Sequence, residues 1–137
     1  DVKSINDRFG HLEGDRALKI VADVLKSNSR KTDFVGRYGG DEFILFGHIN
    51  AASDAEQILD RIRGTLKEAG QASHLPYEIA LSIGYTCCPA GQQMAMDAIL
   101  AAADVKMYEA KRDRKSCRLA YYDGQETDFR NNMAKQA

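Results

Sequence analysis

The sequence predicts an α+β domain in which helices cover a central antiparallel or mixed sheet. Two patterns lead there. Apolar residues recur at helical spacing in three stretches, and strand-type residues fill three others. In chain order they read loop, α, ββ, α, β, α. The paired strands are joined by Gly39-Gly40, and glycine accepts the positive φ of a tight hairpin turn. At 137 residues the chain is long enough for one domain with one sizeable core.

The first segment, DVKSINDRFGHLEGD, is polar and broken by Gly10 and Gly14. It has no clear period and reads as a loop. From Asp15 to about Ser29, Leu18, Val21 and Leu25, with Val24 beside them, predict an amphipathic helix. Phe34–Tyr38 and Glu42–Ile49 read as the hairpin strands. A second helix is expected over Ser53–Glu68, with Ala55, Ile58, Leu59, Ile62 and Leu66 as its apolar stripe. Ser53 and Glu56 fit a capping box there. After Pro76, a strand is expected over Tyr77–Thr86. Its larger residues, Ile79, Leu81, Ile83 and Tyr85, alternate with Ala80, Ser82, Gly84 and Thr86. The small set suits a sheet face closely covered by a helix. A third helix is expected over Asp97–Arg112, with Ile99, Leu100, Ala103, Met107 and Ala110 on one face. From Tyr121 the tail reads as a strand end, then a linker or exposed helix. A further strand is expected in front of the chain's first residue.

Composition narrows the function classes. With 44% hydrophobic and 28% charged residues and a net charge of −1, the chain has no basic field to hold a nucleic acid duplex. Cys87, Cys88 and Cys117 form neither a disulfide framework nor a zinc motif, and reduced thiols in a cytoplasmic setting are expected. No apolar run reaches the roughly 18 residues of a membrane span, so no membrane contact by this domain is expected, although the parent protein could be membrane-anchored. GxxxxGK[ST] and GxGxxG are both missing, so a nucleotide would be held by other means.

Four clusters carry chemistry. Asp41 and Glu42 follow the two glycines of RYGGDEF. They suit either a solvated acidic tip or Mg²⁺, which takes one or two carboxylates plus substrate phosphates. Asn6, His11 and Asp15 surround the first helix start. Asp15 could cap that helix, or a carboxylate and an amide could together read a guanine edge. Arg30-Lys31-Thr32-Asp33 and the group Lys111, Arg112, Arg114 and Lys115 each end a helix. There the basic residues of both could complement the helix dipole, with Asp33 starting a turn; the second group could also bind phosphates.

Together, KSINDRFGHLEGD (Lys3–Asp15), RYGGDEF (Arg37–Phe43), LSIGY (Leu81–Tyr85) and ADVKMYEAK (Ala103–Lys111) resemble the GGDEF family, the diguanylate cyclases. The resemblance covers residues 1–122 as one domain and leaves 123–137 as a linker or exposed helix. It implies a mostly antiparallel sheet like that of nucleotidyl cyclases and the polymerase palm, flanked by helices, with its first strand missing here. The implied reaction condenses two GTP into cyclic di-GMP with release of pyrophosphate. It uses Mg²⁺ or Mn²⁺ and a second copy of the domain as a homodimer. An inactive domain that senses GTP or cyclic di-GMP is the alternative. Sensor or phosphodiesterase domains are implied elsewhere in the parent chain.

Residue by residue, Asn6 and Asp15 match the family's guanine readers, and His11 a neighbouring substrate contact. Lys3 matches a lysine that stabilises transition-state charge. Gly39 and Gly40 match the glycines that let the backbone approach substrate. Asp41 matches a metal ligand and proton acceptor, Glu42 the second acidic position, and Lys111 a triphosphate-binding lysine. Arg30 and Asp33 match an inhibitory RxxD that binds cyclic di-GMP. Two departures stand out. The family's Asp-x-Asp at the end of its first strand would lie just before Asp1, and a chain that truly started at Asp1 would be expected to bind metal weakly and turn over little GTP. Arg114, Lys115 and Ser116 stand where the family usually has Gly-Arg-Asn, so Lys115 keeps the charge there without arginine's two-pronged fork.

Overall fold

The computed structural model describes residues 2–89, 91–111 and 116–122; Lys111 and 116–122 are described by their backbone. The elements are α1 (Val2–Phe9), α2 (His11–Ser27), β1 (Phe34–Gly39), β2 (Glu42–His48), α3 (Ala52–Ala72), β3 (Ser82–Cys88), α4 (Met96–Lys111) and β4 (Ser116–Tyr122). The four strands lie in the order β1-β2-β4-β3. This is the expected α+β class, an antiparallel hairpin within a sheet flanked by helices. The pairing is more mixed than the mostly antiparallel sheet expected, because β4 runs parallel to both β2 and β3. It takes an inner position because α4 crosses back over the sheet after β3, as parallel pairing requires.

The alternation of β2 divides the core between two faces. Phe43 and Leu45 pack with Val21, Leu25, Leu59 and Ile62 from α2 and α3. Ile44 and Phe46 pack with Cys88, Met96 and Ile99 on the α4 side. Burial of each such large side chain contributes about 1.5–3 kcal/mol. The expectation of a small-residue face on β3 holds at Gly84, where an added Cβ would lie 2.2 Å from Met107 N and 2.3 Å from the Ala103 carbonyl oxygen. Only glycine allows α4 to sit that close.

Several boundaries differ from the sequence reading. The N-terminal loop is a helix, α1, whose Val2, Ile5 and Phe9 share an inward face. Gly10, at φ +91°, breaks the chain between α1 and α2. Since α2 starts at His11, Asp15 lies inside the helix and is not its N-cap. In α3 the capping carboxylate is Asp54, not the expected Ser53 and Glu56 pair. Asp54 Oδ2 accepts the N–H groups of Asn50 at 3.1 Å and Ala51 at 3.0 Å. Glu56 instead accepts the Tyr85 hydroxyl, bridging α3 to β3. The strand expected from Tyr77 begins at Ser82, where its pairing with β4 starts. The last strand, of which only the end was expected, runs from Ser116.

Candidate active site

The β1–β2 hairpin turns on Gly40, at φ +52°. Arg37 Nε donates to the Gly40 carbonyl oxygen at 2.8 Å, and the register shifts between Arg37 and Gly39. These features aim the next residue, Asp41, toward the start of α1. There its Oδ2 accepts the Val2 N–H over a long 3.5 Å. Asp41 is half-buried and lines a cleft of about 390 Å³ with Ile5, Phe9, Leu18 and Phe43. Glu42 opens β2 and is also half-buried, but it does not line this cleft. Strand alternation puts Glu42 on the face of Ile44 and Phe46.

Helix α1 connects the hairpin tip to α2. Its exposed Lys3 follows Val2, and Asn6 sits one turn on. Asn6 packs against Gly14, the residue before Asp15. Its Oδ1 is buried and has no hydrogen-bond partner among the described residues. His11 and Asp15 are both exposed and, four residues apart, share one face of α2. Thus Asp41, Lys3 and Asn6 are linked through α1, with Asp15 adjacent on α2.

Lys111 reaches the same end of the sheet by topology. Ile44 and Gly84 are level through their common partner Arg118, so Glu42 and Ser82 mark the same sheet edge. Met107 lies over Gly84, and one more turn of α4 brings the backbone of Lys111 to that edge. Lys115 lies outside the described residues, as does the expected linker 123–137.

A second cleft, of about 580 Å³, contains Arg30, Asp33, His48 and Arg61. The tetrapeptide from Arg30 to Asp33 closes on itself. Asp33 N–H donates to the Arg30 carbonyl oxygen at 3.0 Å, and Arg30 N–H donates to Asp33 Oδ2 at 2.7 Å. Gly47 makes room for that carboxylate, since an added Cβ would lie 2.9 Å from Asp33 Oδ1. The sequence reading missed Arg61. Its Nε and a terminal nitrogen donate to Asn28 Oδ1 and the Asn28 carbonyl oxygen, each at 3.0 Å. Its exposed position on the outer side of the α3 stripe was the available sequence signal.

Around the first cleft, the Tyr77 hydroxyl donates to Glu13, lying 2.9 Å from Oε2 and 3.0 Å from the carbonyl oxygen. Burial, then the bond to Glu13, pushes the Tyr77 pKa up to about 12. The bond to Glu56, then burial, raises that of Tyr85. Among the described residues, no group of three or more His, Cys, Asp or Glu side chains could hold a metal ion. Asp41 and Glu42 are nevertheless a hard-oxygen pair of the kind Mg²⁺ or Mn²⁺ accepts when waters and substrate phosphates complete its shell.

Residues 1–117 match the family model described as "Diguanylate cyclase, GGDEF domain". Diguanylate cyclase DgcP of Pseudomonas aeruginosa is 37% identical over 113 residues, which are 80% of this chain and 16% of that protein. Diguanylate cyclase A of Treponema denticola is 34% identical over 115 residues, 83% of this chain and 31% of that protein. The chain thus spans less than a third of either relative. Among solved structures, a form of TpbB (YfiN) from Pseudomonas aeruginosa comprising only the GGDEF domain superposes with a TM-score of 0.59 at 25% identity. That match covers 97% of this chain and 76% of the other. No helix among the described residues is long and apolar enough to cross a membrane.

Proposed function

Because this chain belongs to the GGDEF family of diguanylate cyclase domains, we propose that it condenses two GTP molecules into cyclic di-GMP. The observation that supports this most is the route through α1. Its first described N–H meets Asp41, and one turn later Asn6 packs against Gly14, the residue before Asp15. A base held at Asn6 and Asp15 would therefore lie one short helix away from the hairpin-tip carboxylate.

In this reading the Asp15 carboxylate accepts the guanine ring N–H and exocyclic amine, and the Asn6 amide pairs with the remaining polar edge. His11 contacts the same nucleotide. Gly39 and Gly40, without side chains, admit the phosphates close to the backbone, and Lys111 and Lys115 neutralise them. Each 3′-oxygen attacks the α-phosphorus of the GTP held by a second copy of the domain, and the bond to pyrophosphate breaks. Asp41 takes the 3′-hydroxyl proton. Lys3 offsets charge on the transferring group. A divalent cation held by Asp41 and Glu42 would supply further neutralisation of the phosphate oxygens.

Product binds the second cleft, with the Arg30 side chain on a phosphate or a base and the Asp33 carboxylate fixing the turn beneath it. The placement of Arg61 in that cleft supports a polyanionic ligand there. A second reading is a non-catalytic domain that binds GTP or cyclic di-GMP. It draws on the lack, among the described residues, of a third metal-ligating side chain beside Asp41 and Glu42.

Pyrophosphate release from GTP and Mg²⁺ separates the two readings. The cyclase reading expects release by the protein and a fall of about 100-fold or more in Asp41→Asn. Binding of GTP with no pyrophosphate release would favour the sensor. Inhibition by added cyclic di-GMP should be lost in Arg30→Ala, and equal inhibition of both proteins would rule out the second cleft as the product site.

A further inference from the structure

Helix α2 carries a buried glycine inside it, at Gly14. Glycine is one of the poorest helix formers and alanine the best. Gly14 does not have the positive φ of Gly10, so backbone conformation does not require glycine there. Space does. An added Cβ would lie 1.8 Å from Asn6 Oδ1 and 2.9 Å from Asn6 Cγ. The next neighbour, Val2 Cγ1 at 3.2 Å, would need to give by only a few tenths of an ångström. The same Asn6 Oδ1 is buried without a hydrogen-bond partner among the described residues, a costly state for a carboxamide oxygen.

We propose that Gly14 is a positioning residue for nucleotide recognition: the notch left by its missing side chain seats the Asn6 carboxamide oxygen against α2, beside Asp15. With the oxygen inside, the amide N–H groups are the part of Asn6 that faces a ligand. Asn6 then offers donors while Asp15 offers acceptors. That division matches guanine, whose edge carries a carbonyl oxygen beside a ring N–H. It opposes adenine, whose edge carries an amine beside a bare ring nitrogen. This assignment rests on the reading of Asn6 and Asp15 as guanine contacts.

The test compares the unaltered protein with Gly14→Ala, Asn6→Ala and the double variant. Thermal unfolding and the binding of GTP and ATP are measured on each. Alone, Gly14→Ala should raise Tm by less than it does without Asn6, because turning the Asn6 carboxamide out of its seat offsets part of alanine's gain as a helix former. In the Asn6→Ala background it should raise Tm, because the clash is gone and alanine is the better helix former. Gly14→Ala should also cost roughly tenfold in GTP affinity without changing ATP affinity. In the Asn6→Ala background it should change neither. An equal change of Tm in both backgrounds would show that the glycine serves something other than Asn6. Equal weakening of GTP and ATP would reduce it to a purely structural residue. Failure of the unaltered protein to bind GTP would overturn the guanine assignment, and the two Tm differences would still confirm or refute the notch.

Discussion

At Asp33 a single carboxylate holds the RxxD turn, and its space comes from Gly47 across the hairpin. Gly47→Ala should therefore push Asp33 off the Arg30 N–H and cost about 1 kcal/mol of stability. Urea unfolding measures that loss, and an unchanged midpoint would show that the carboxylate is not confined. Tyr77 makes a different prediction. Its folded pKa of about 12 stands above the ordinary value of 10.0. The stabilisation tied to its proton is fully present below pH 10 and is lost as pH rises through 12. Tyr77→Phe should flatten the fall of stability across that window, and an identical pH profile would contradict a raised Tyr77 pKa. Residues of this kind were unevenly legible. Asp41, Arg30 and Asp33 stood out because their spacing is local. Tyr77 and Glu13 meet across a separation of 64 residues, which no local pattern encodes.

Helix α3 ends in a form that invites a stability test. Leu75 N–H reaches back to the Gly70 carbonyl oxygen and His74 N–H to that of Gln71, closing a Schellman motif. Its left-handed position is held by His74, at φ 51°. Glycine carries no Cβ penalty there, so His74→Gly should stabilise the protein by about 1 kcal/mol. Thermal unfolding checks this, and a lower Tm would mean that the imidazole makes a compensating contact. Gly84→Val should act in the opposite sense. Its side chain would meet the α4 backbone and cost about 1–3 kcal/mol or more. The long helices and the hairpin could be read from sequence because each carries a full stripe or a turn signal. The eight-residue α1 is too short to display its period beyond Val2, Ile5 and Phe9. The early start expected for β3 failed for another reason. Tyr77–Leu81 alternates like a strand, but backbone pairing with β4 begins only at Ser82.

Across the molecule, the two candidate clefts share the β1–β2 hairpin without sharing residues. The first takes Asp41 and Phe43, and the second takes Leu45 and His48 from further along β2. Catalysis and product inhibition would thus act on one rigid element from separate places. The motif stretches were enough to indicate a GGDEF domain, because four of them occur in order along the chain. They could not reveal that α1 joins Asp41 to the Asn6–Gly14 contact, since that depends on a helix the sequence hid. We infer that this arrangement makes cyclic di-GMP. Its most direct test is mass analysis of the nucleotides formed when the protein is incubated with GTP and Mg²⁺. Cyclic di-GMP should accumulate with two pyrophosphates per molecule, and none should form with Asp41→Asn. A protein saturated with GTP that leaves the nucleotide unchanged would contradict it.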